Sequence, residues 1–166
     1  MISLRKLLRK MMKMTNNFQS TKSYYNYPCS HRQWKHKGHC AFIHGYSRSF
    51  HFVFAARELD ECGFVVDYGG LKELKDHLDR TFDHTLLLNL DDPLMKKFEE
   101  LEELGACDIS VLPYGVGMEG TARYLCEWTD NLVREKTDGR CWVVSAESRE
   151  NDKNSSIYFN PHAGFR

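Results

Sequence analysis

The feature that most constrains the fold is a long alternating stretch over residues 42–56. Its even-numbered residues share one face of an extended chain. From position 44 that face carries His44, Tyr46 and Arg48, and then three phenylalanines. An alternation of this length predicts a strand with one face packed on a core. The change from polar to aromatic predicts a functional site at the point where the strand begins.

Weaker patterns predict the remaining elements. Leucine spacing predicts a helix that ends before Asp83, Pro93 opens a short acidic helix closed by Gly105, and a third helix spans Thr121–Lys136. The main elements run β, β, α, α, β, β. This order predicts an α+β fold, an antiparallel four-stranded sheet with two helices on one face. Exposed strand edges predict oligomerisation. The other extended segments are Ser23–Ser30, Phe64–Tyr68, Asp108–Leu112, Cys141–Arg149 and Ser155–Phe159.

Composition narrows the class of protein. The chain has 166 residues and a formal net charge of zero, which suits one domain and gives no electrostatic case for binding nucleic acid or a membrane. Six scattered cysteines without a Cys-x-x-Cys pair or a secretory signal predict reduced thiols and a cytoplasmic protein. We expect a basic, disordered extension over residues 1–22 and one domain over 23–166.

Residues 31–46 concentrate the chemistry. This stretch holds four histidines and one cysteine, and it ends in Cys40-x-x-x-His44-Gly45-Tyr46. A thiol four residues before an imidazole brings a possible acid/base group close to a possible metal ligand. No other segment points so directly to a reaction.

Several further motifs follow one another in a fixed order along the chain. They are Ser30-His31-Arg32, Cys40-x-x-x-His44-Gly45, residues 63–68 followed by Leu71-Lys72, Phe82-Asp83-His84, and a late Glu147. Together they resemble the 6-pyruvoyltetrahydropterin synthase/6-carboxytetrahydropterin synthase family over about residues 24–160. The resemblance implies the tunnelling fold (T-fold), in which several subunits join their sheets into a barrel, often as a hexamer of two trimers with active sites between subunits.

The resemblance implies three catalytic residues. Cys40 matches the thiol that removes a proton from a carbon of the substrate side chain, a task that needs the thiolate form. Asp83 and His84 match an acid–imidazole pair that relays protons. The alternative for His84 is a favourable position at the end of a helix.

The resemblance also implies a zinc ion. His31 and His44 match two ligands, but the usual His-Gly-His reads His44-Gly45-Tyr46 here. A phenol with a pKa near 10 is a poor zinc ligand, so the third position stays open between Tyr46 and a loop histidine, His39 or His36. Zinc would act as a Lewis acid on oxygens of the substrate side chain.

Two glutamates match substrate-binding positions. Glu147 follows an apolar strand and matches the residue that grips the pterin ring, with Glu150 as a competing candidate. Glu119 stands where the family has a glutamate before the last helix, although the usual surrounding motif is absent. Arg48 could meet a phosphate or make a structural pair.

The implied function is that of a lyase. It would convert 7,8-dihydroneopterin triphosphate into 6-carboxy-5,6,7,8-tetrahydropterin, acetaldehyde and triphosphate, as in the queuosine/7-deazaguanine pathway. One alternative is 6-pyruvoyltetrahydropterin formation with elimination of triphosphate. The other is a non-catalytic pterin- or purine-binding T-fold protein, which the Tyr46 change motivates.

Overall fold

The computed structural model describes residues 18–163, which form a six-stranded sheet flanked by three α-helices. Two short 3₁₀ helices occupy His39–Ala41 and Tyr68–Leu71. The strands are β1 (Phe18–His31), β2 (His44–Ala56), β3 (Leu86–Asn89), β4 (Ile109–Leu112), β5 (Cys141–Arg149) and β6 (Ser155–Phe159), and the helices are α1 (Lys72–Phe82), α2 (Met95–Glu103) and α3 (Met118–Lys136).

The α+β class is confirmed, but the prediction of an antiparallel four-stranded sheet is wrong. The strand order is β4-β3-β1-β2-β5-β6, and β3 pairs in parallel with both β1 and β4. The sequence pattern did not predict β3, because its residues, Leu-Leu-Leu-Asn, are too few and too uniformly apolar to show an alternation. Such uniform runs are typical of strands covered on both faces.

Helices cover both faces of the sheet rather than one. Leu87 belongs to the main core with α1 and α3, whereas Leu86 and Leu88 pack against Phe98 of α2 on the opposite side. The prediction of two helices on one face therefore holds for α1 and α3, and α2 adds a small second layer at the β3–β4 end. No helix within residues 18–163 is both long and apolar enough to cross a bilayer.

The main core lies between β2 and the α1–α3 pair. Phe50, Phe52 and Phe54 are almost completely buried, and Phe50 packs against Phe82 of α1 at 4.6 Å between ring centroids. Burying each ring contributes about 1.5–3 kcal/mol. The predicted aromatic face of β2 thus fixes which side of the sheet the helices cover.

Two differences from the predicted element boundaries are the largest, and smaller ones include the start of α3 at Met118 instead of Thr121. Strand β1 begins at Phe18 instead of Ser23, because residues 18–22 pair with the end of β2. Residues 64–67 lie in a loop rather than a strand and lead into the 3₁₀ helix. The first 17 residues of the predicted extension lie outside the described residues.

Candidate functional site

Two histidines meet where β1 ends and β2 begins. His31 and His44 are direct partners across the antiparallel ladder, and their ring centroids lie 4.4 Å apart. Cross-strand partners project from the same face of a sheet, so the pairing brings both imidazoles to one place. The structure therefore joins two of the predicted metal ligands.

The two imidazoles differ in environment. His31 is buried, and its Nδ1 atom has no hydrogen-bond partner. Burial, together with the charges of Arg48 and His44, lowers the pKa of His31 to about 3, so this ring is neutral at physiological pH. His44 Nδ1 donates to the carbonyl oxygen of Phe42 at 2.8 Å, which leaves Nε2 available. Neutral imidazoles with a free nitrogen suit metal binding.

Tyr46 lies beside both rings but is engaged elsewhere. Its ring centroid is 5.8 Å from that of His44 and 6.4 Å from that of His31. Its hydroxyl interacts with the carboxylate of Glu150, and this interaction is the main cause of a raised pKa of Tyr46. The phenol is therefore held in its neutral form. Within residues 18–163, no cluster of three or more His, Cys, Asp or Glu side chains has the arrangement of a metal site.

The alternative third ligands occupy an exposed loop. His36 Nδ1 accepts a hydrogen bond from the backbone of Gly38 at 2.9 Å, and the ring of His39 stacks on Phe42. Neither ring contacts the His31–His44 pair in the described part of the chain. The third ligand stays a prediction.

Cys40 lies at the same end of the sheet as the histidine pair. It is the middle residue of the 3₁₀ helix His39–Ala41, and its carbonyl oxygen accepts from the backbone of Gln33 at 2.7 Å. The residue is exposed. An accessible thiol thus lies at the end of the sheet that carries Tyr46 and the two imidazoles.

Asp83 and His84 form an exposed pair after α1. His84 Nδ1 and Asp83 Oδ1 lie 2.8 Å apart, and the backbone of His84 takes a left-handed conformation with φ of 61°. The His84 amide also donates to Pro28 at 2.7 Å. Among residues 18–163, no hydrogen bond or ion pair joins this pair to Cys40. A direct contact between this pair and Cys40 is therefore not seen in one copy of the chain, and the relay stays a prediction.

Glu147 is also separate from the histidine pair. It pairs with His51 across β2 and β5 and forms an ion pair with Arg149. His51 lies seven residues beyond His44 on β2 and on its opposite face, which separates Glu147 from His44 by roughly 20 Å at the usual rise of an extended strand. One copy of the chain cannot bring the two side chains to one small ligand.

Glu119 lies in the first turn of α3 and is exposed. It lines a cavity of about 530 Å³ together with Gln33, Asn89 and the loop that precedes α3. This cavity is roomy enough for a small heterocycle. The structure gives Glu119 an accessible position, and its role stays a prediction.

Sequence reasoning missed how Glu150 and Arg48 act. Arg48 is completely buried and bonds protein groups, so it is out of reach of a phosphate in solution. Glu150 lies across from Arg48 at the end of β5, on the Tyr46 side, opposite to Glu147. The alternation along β5 places Glu147 and Glu150 on opposite faces of the sheet. Aligning the alternating pattern of β5 with that of β2 would have predicted that Glu150 lies on the Tyr46 side.

A sequence profile of the family described as 6-pyruvoyl tetrahydropterin synthase matches residues 21–161. Similar curated proteins are named 6-carboxy-5,6,7,8-tetrahydropterin synthase. The one from Rickettsia conorii is 37% identical over 70 residues, or 42% of this chain and 51% of the relative. The one from Rickettsia typhi is 38% identical over 68 residues. The aligned segment thus spans about half the length of these relatives.

Solved structures share the fold. An uncharacterised protein of Wolinella succinogenes superposes with a TM-score of 0.75 at 20% identity, covering 88% of this chain and 99% of that one. The 6-pyruvoyl tetrahydropterin synthase of Plasmodium falciparum gives a TM-score of 0.62 at 15% identity, covering 87% and 99%. These low identities support the fold alone.

Proposed function

The chain belongs to the 6-pyruvoyl tetrahydropterin synthase family, and we propose that it is a lyase of the 6-carboxytetrahydropterin synthase type. It would convert 7,8-dihydroneopterin triphosphate and one water molecule into 6-carboxy-5,6,7,8-tetrahydropterin, acetaldehyde and triphosphate. The names of the Rickettsia relatives favour this reaction within the family. The observation that carries the proposal is the exposed Cys40 near the His31–His44 pair.

Cys40 is the residue assigned to proton removal. Its exposure lets a substrate carbon approach the sulfur, and the thiolate can take a proton from the carbon beside the pterin ring. Asp83 orients the imidazole of His84 through the contact between Asp83 Oδ1 and His84 Nδ1. His84 can then pass a proton to a leaving oxygen.

His31 and His44 are the residues assigned to zinc. Their donor set fits the metal in part, since His31 Nδ1 is buried without a partner and His44 Nε2 is available, and a third ligand from this copy is lacking among residues 18–163. When bound, the metal would supply Lewis acidity toward oxygens of the substrate side chain. The buried neutral state of His31 keeps that nitrogen ready for a cation.

The active site is proposed to form between copies of the chain. Glu147 lies on the other face of the sheet from His44, and among residues 18–163 no hydrogen bond or ion pair joins the His84 pair to Cys40. A homo-oligomer, such as a hexamer of two trimers, would bring Glu147 and His84 of neighbouring copies to Cys40. Exposed apolar side chains on the edge strand β6, at Ile157 and Phe159, are consistent with burial against a second copy.

Product analysis tests the reaction. Purified protein is incubated with 7,8-dihydroneopterin triphosphate, and acetaldehyde and pterin products are measured by mass spectrometry. We expect acetaldehyde and the 6-carboxy product from the wild type and from His51→Ala, and almost none from His44→Ala. His51 is a matched control, because it lies on the same strand but faces the other way and bonds Ser23. Wild type without either product would refute the proposal.

Two alternative functions would give different results in this assay. Retention of the three-carbon side chain would indicate 6-pyruvoyltetrahydropterin formation, the activity that names the family. Tight pterin binding without turnover would indicate a binding protein. The engagement of Tyr46 with Glu150, in place of a third histidine ligand, is the observation that favours the binding protein.

A further inference from the structure

Arg48 is a buried cation without a bonded acid. Its Nη1 donates to Thr121 Oγ1 at 3.1 Å and its Nη2 donates to the carbonyl oxygen of Val116 at 2.9 Å, while Nε has no partner among residues 18–163. Its exposed fraction is 0%, and burial lowers its pKa. Both bonded acceptors are neutral, and the carboxylate of Glu150 acts on Arg48 only through space.

Fold stability alone does not account for this residue. Taking a guanidinium out of water carries a penalty that two bonds to neutral oxygens offset only in part. Even buried ion pairs can often be replaced by apolar residues of similar volume without loss of stability. The next residues on the same face, Phe50 and Phe52, show that the position borders a well-packed apolar core. A role in the site therefore explains the buried charge of Arg48 better than fold stability does.

The two bonds of Arg48 join the two parts of the proposed site. On β2, the face of Arg48 continues into Tyr46 and His44. Val116 and Thr121 flank the first turn of α3, which carries Glu119. Gly117, the residue that precedes α3, makes no side-chain capping bond, so this turn relies on its flanking contacts.

We propose that Arg48 is a positioning residue that fixes Glu119 and the first turn of α3 relative to the His31–His44 pair. This positioning role rests on the proposed function in one respect, the assignment of Glu119 to pterin binding. A fixed separation lets a ligand contact Glu119 and the histidine pair at the same time, so loss of Arg48 should weaken ligand binding more than it slows the chemical step.

Matched variants of both bonded partners test the proposal. Arg48→Met keeps length and volume but removes both donors, and Thr121→Val removes one acceptor while keeping the shape. Thr121→Ser restores the hydroxyl. Phe50→Leu is the control for core packing, since Phe50 is buried on the same face two residues away. The measurements are the Kd of neopterin from its fluorescence, KM and kcat with 7,8-dihydroneopterin triphosphate, and the Tm.

We expect Arg48→Met to raise Kd and KM about tenfold or more, with kcat changed much less. Thr121→Val should raise Kd in the same direction, and Thr121→Ser should return it to the wild-type value. Phe50→Leu should lower Tm and leave Kd unchanged. If Arg48→Met does not fold, the Thr121 pair decides the question by the same readings.

Three results would overturn the positioning role. The first is a Kd within about twofold of wild type in both Arg48→Met and Thr121→Val. The second is a rise in Kd in Phe50→Leu that matches the rise in Arg48→Met for the same loss of Tm. The third is a wild type that does not bind neopterin. Absence of turnover alone would refute only the proposed reaction, because the Kd readings remain and still test Arg48.

Discussion

Gly120 offers the sharpest test of how the first turn of α3 is packed. A Cβ atom at this position would lie 2.3 Å from the carbonyl oxygen of Tyr114 and 2.4 Å from that of Gly115. Both neighbours are backbone atoms, which cannot rotate away as a side chain can. In Gly120→Ala the loop before α3 must therefore retreat by roughly 1 Å to restore normal contact distances.

The expected cost follows from two opposing terms. Overpacking of this kind costs about 1–3 kcal/mol. Replacing a helical glycine by alanine returns about 0.5–1 kcal/mol through lower backbone entropy in the unfolded chain. We expect a net loss of about 1–2 kcal/mol in the free energy of unfolding for Gly120→Ala.

Urea unfolding at one fixed protein concentration measures this loss, because oligomerisation makes apparent stability depend on concentration. Gly70→Ala is the matched control, since a Cβ atom on Gly70 would meet no heavy atom of residues 18–163 within 4 Å and the φ of Gly70 is not positive. Gly70→Ala should be neutral or slightly stabilising. Equal stability of Gly120→Ala and wild type, or an equal loss in both variants, would refute the packing argument.

Three further predictions concern charge, metal and assembly. The free energy of unfolding should fall as the pH drops from about 6.5 toward 4, because burial lowers the pKa of His77 to about 4 and the unfolded chain takes up the proton first. His77→Phe should flatten this pH dependence in urea titrations at several pH values. An unchanged slope in His77→Phe would contradict the prediction. Tyr46→His should tighten zinc binding by roughly tenfold or more in equilibrium dialysis. Glu150→Ala is the control, because it removes the acceptor of the phenol without adding a ligand. Equal zinc affinity in wild type and Tyr46→His would remove position 46 from the metal shell. Cys40→Ala and His84→Ala, each inactive alone, should regain part of the wild-type activity when unfolded and refolded together, and no recovery would argue against a site shared between copies.

The strand register explains which parts of the site the sequence could predict. The alternation of β2 predicted that His44 and Tyr46 share a face with the buried phenylalanines, and its register with β1 added His31. The motif that carries Cys40 lies next to this strand, so its neighbourhood followed from chain connectivity. Local pattern was sufficient wherever the partners were joined by a short loop.

The rest depended on contacts between distant segments. Strand β3 consists of three leucines and an asparagine, and no local pattern predicts its parallel pairing with β1. The bond from Arg48 to Thr121 joins residues 73 positions apart, and the contact between Tyr46 and Glu150 depends on the register of β2 with β5. A sequence motif identified Glu147 as a candidate, but its distance from His44 follows only from the register of β2 with β5.

Loss of activity in Cys40→Ala tests the central claim most directly, with Cys62→Ala as its control. Both thiols are exposed, and Cys62 lies in a separate turn whose amide bonds Asp60. The account predicts that Cys40→Ala forms acetaldehyde from 7,8-dihydroneopterin triphosphate at least about 100-fold more slowly than wild type, and that Cys62→Ala keeps its rate. A Cys40→Ala protein that retains the wild-type rate would contradict it.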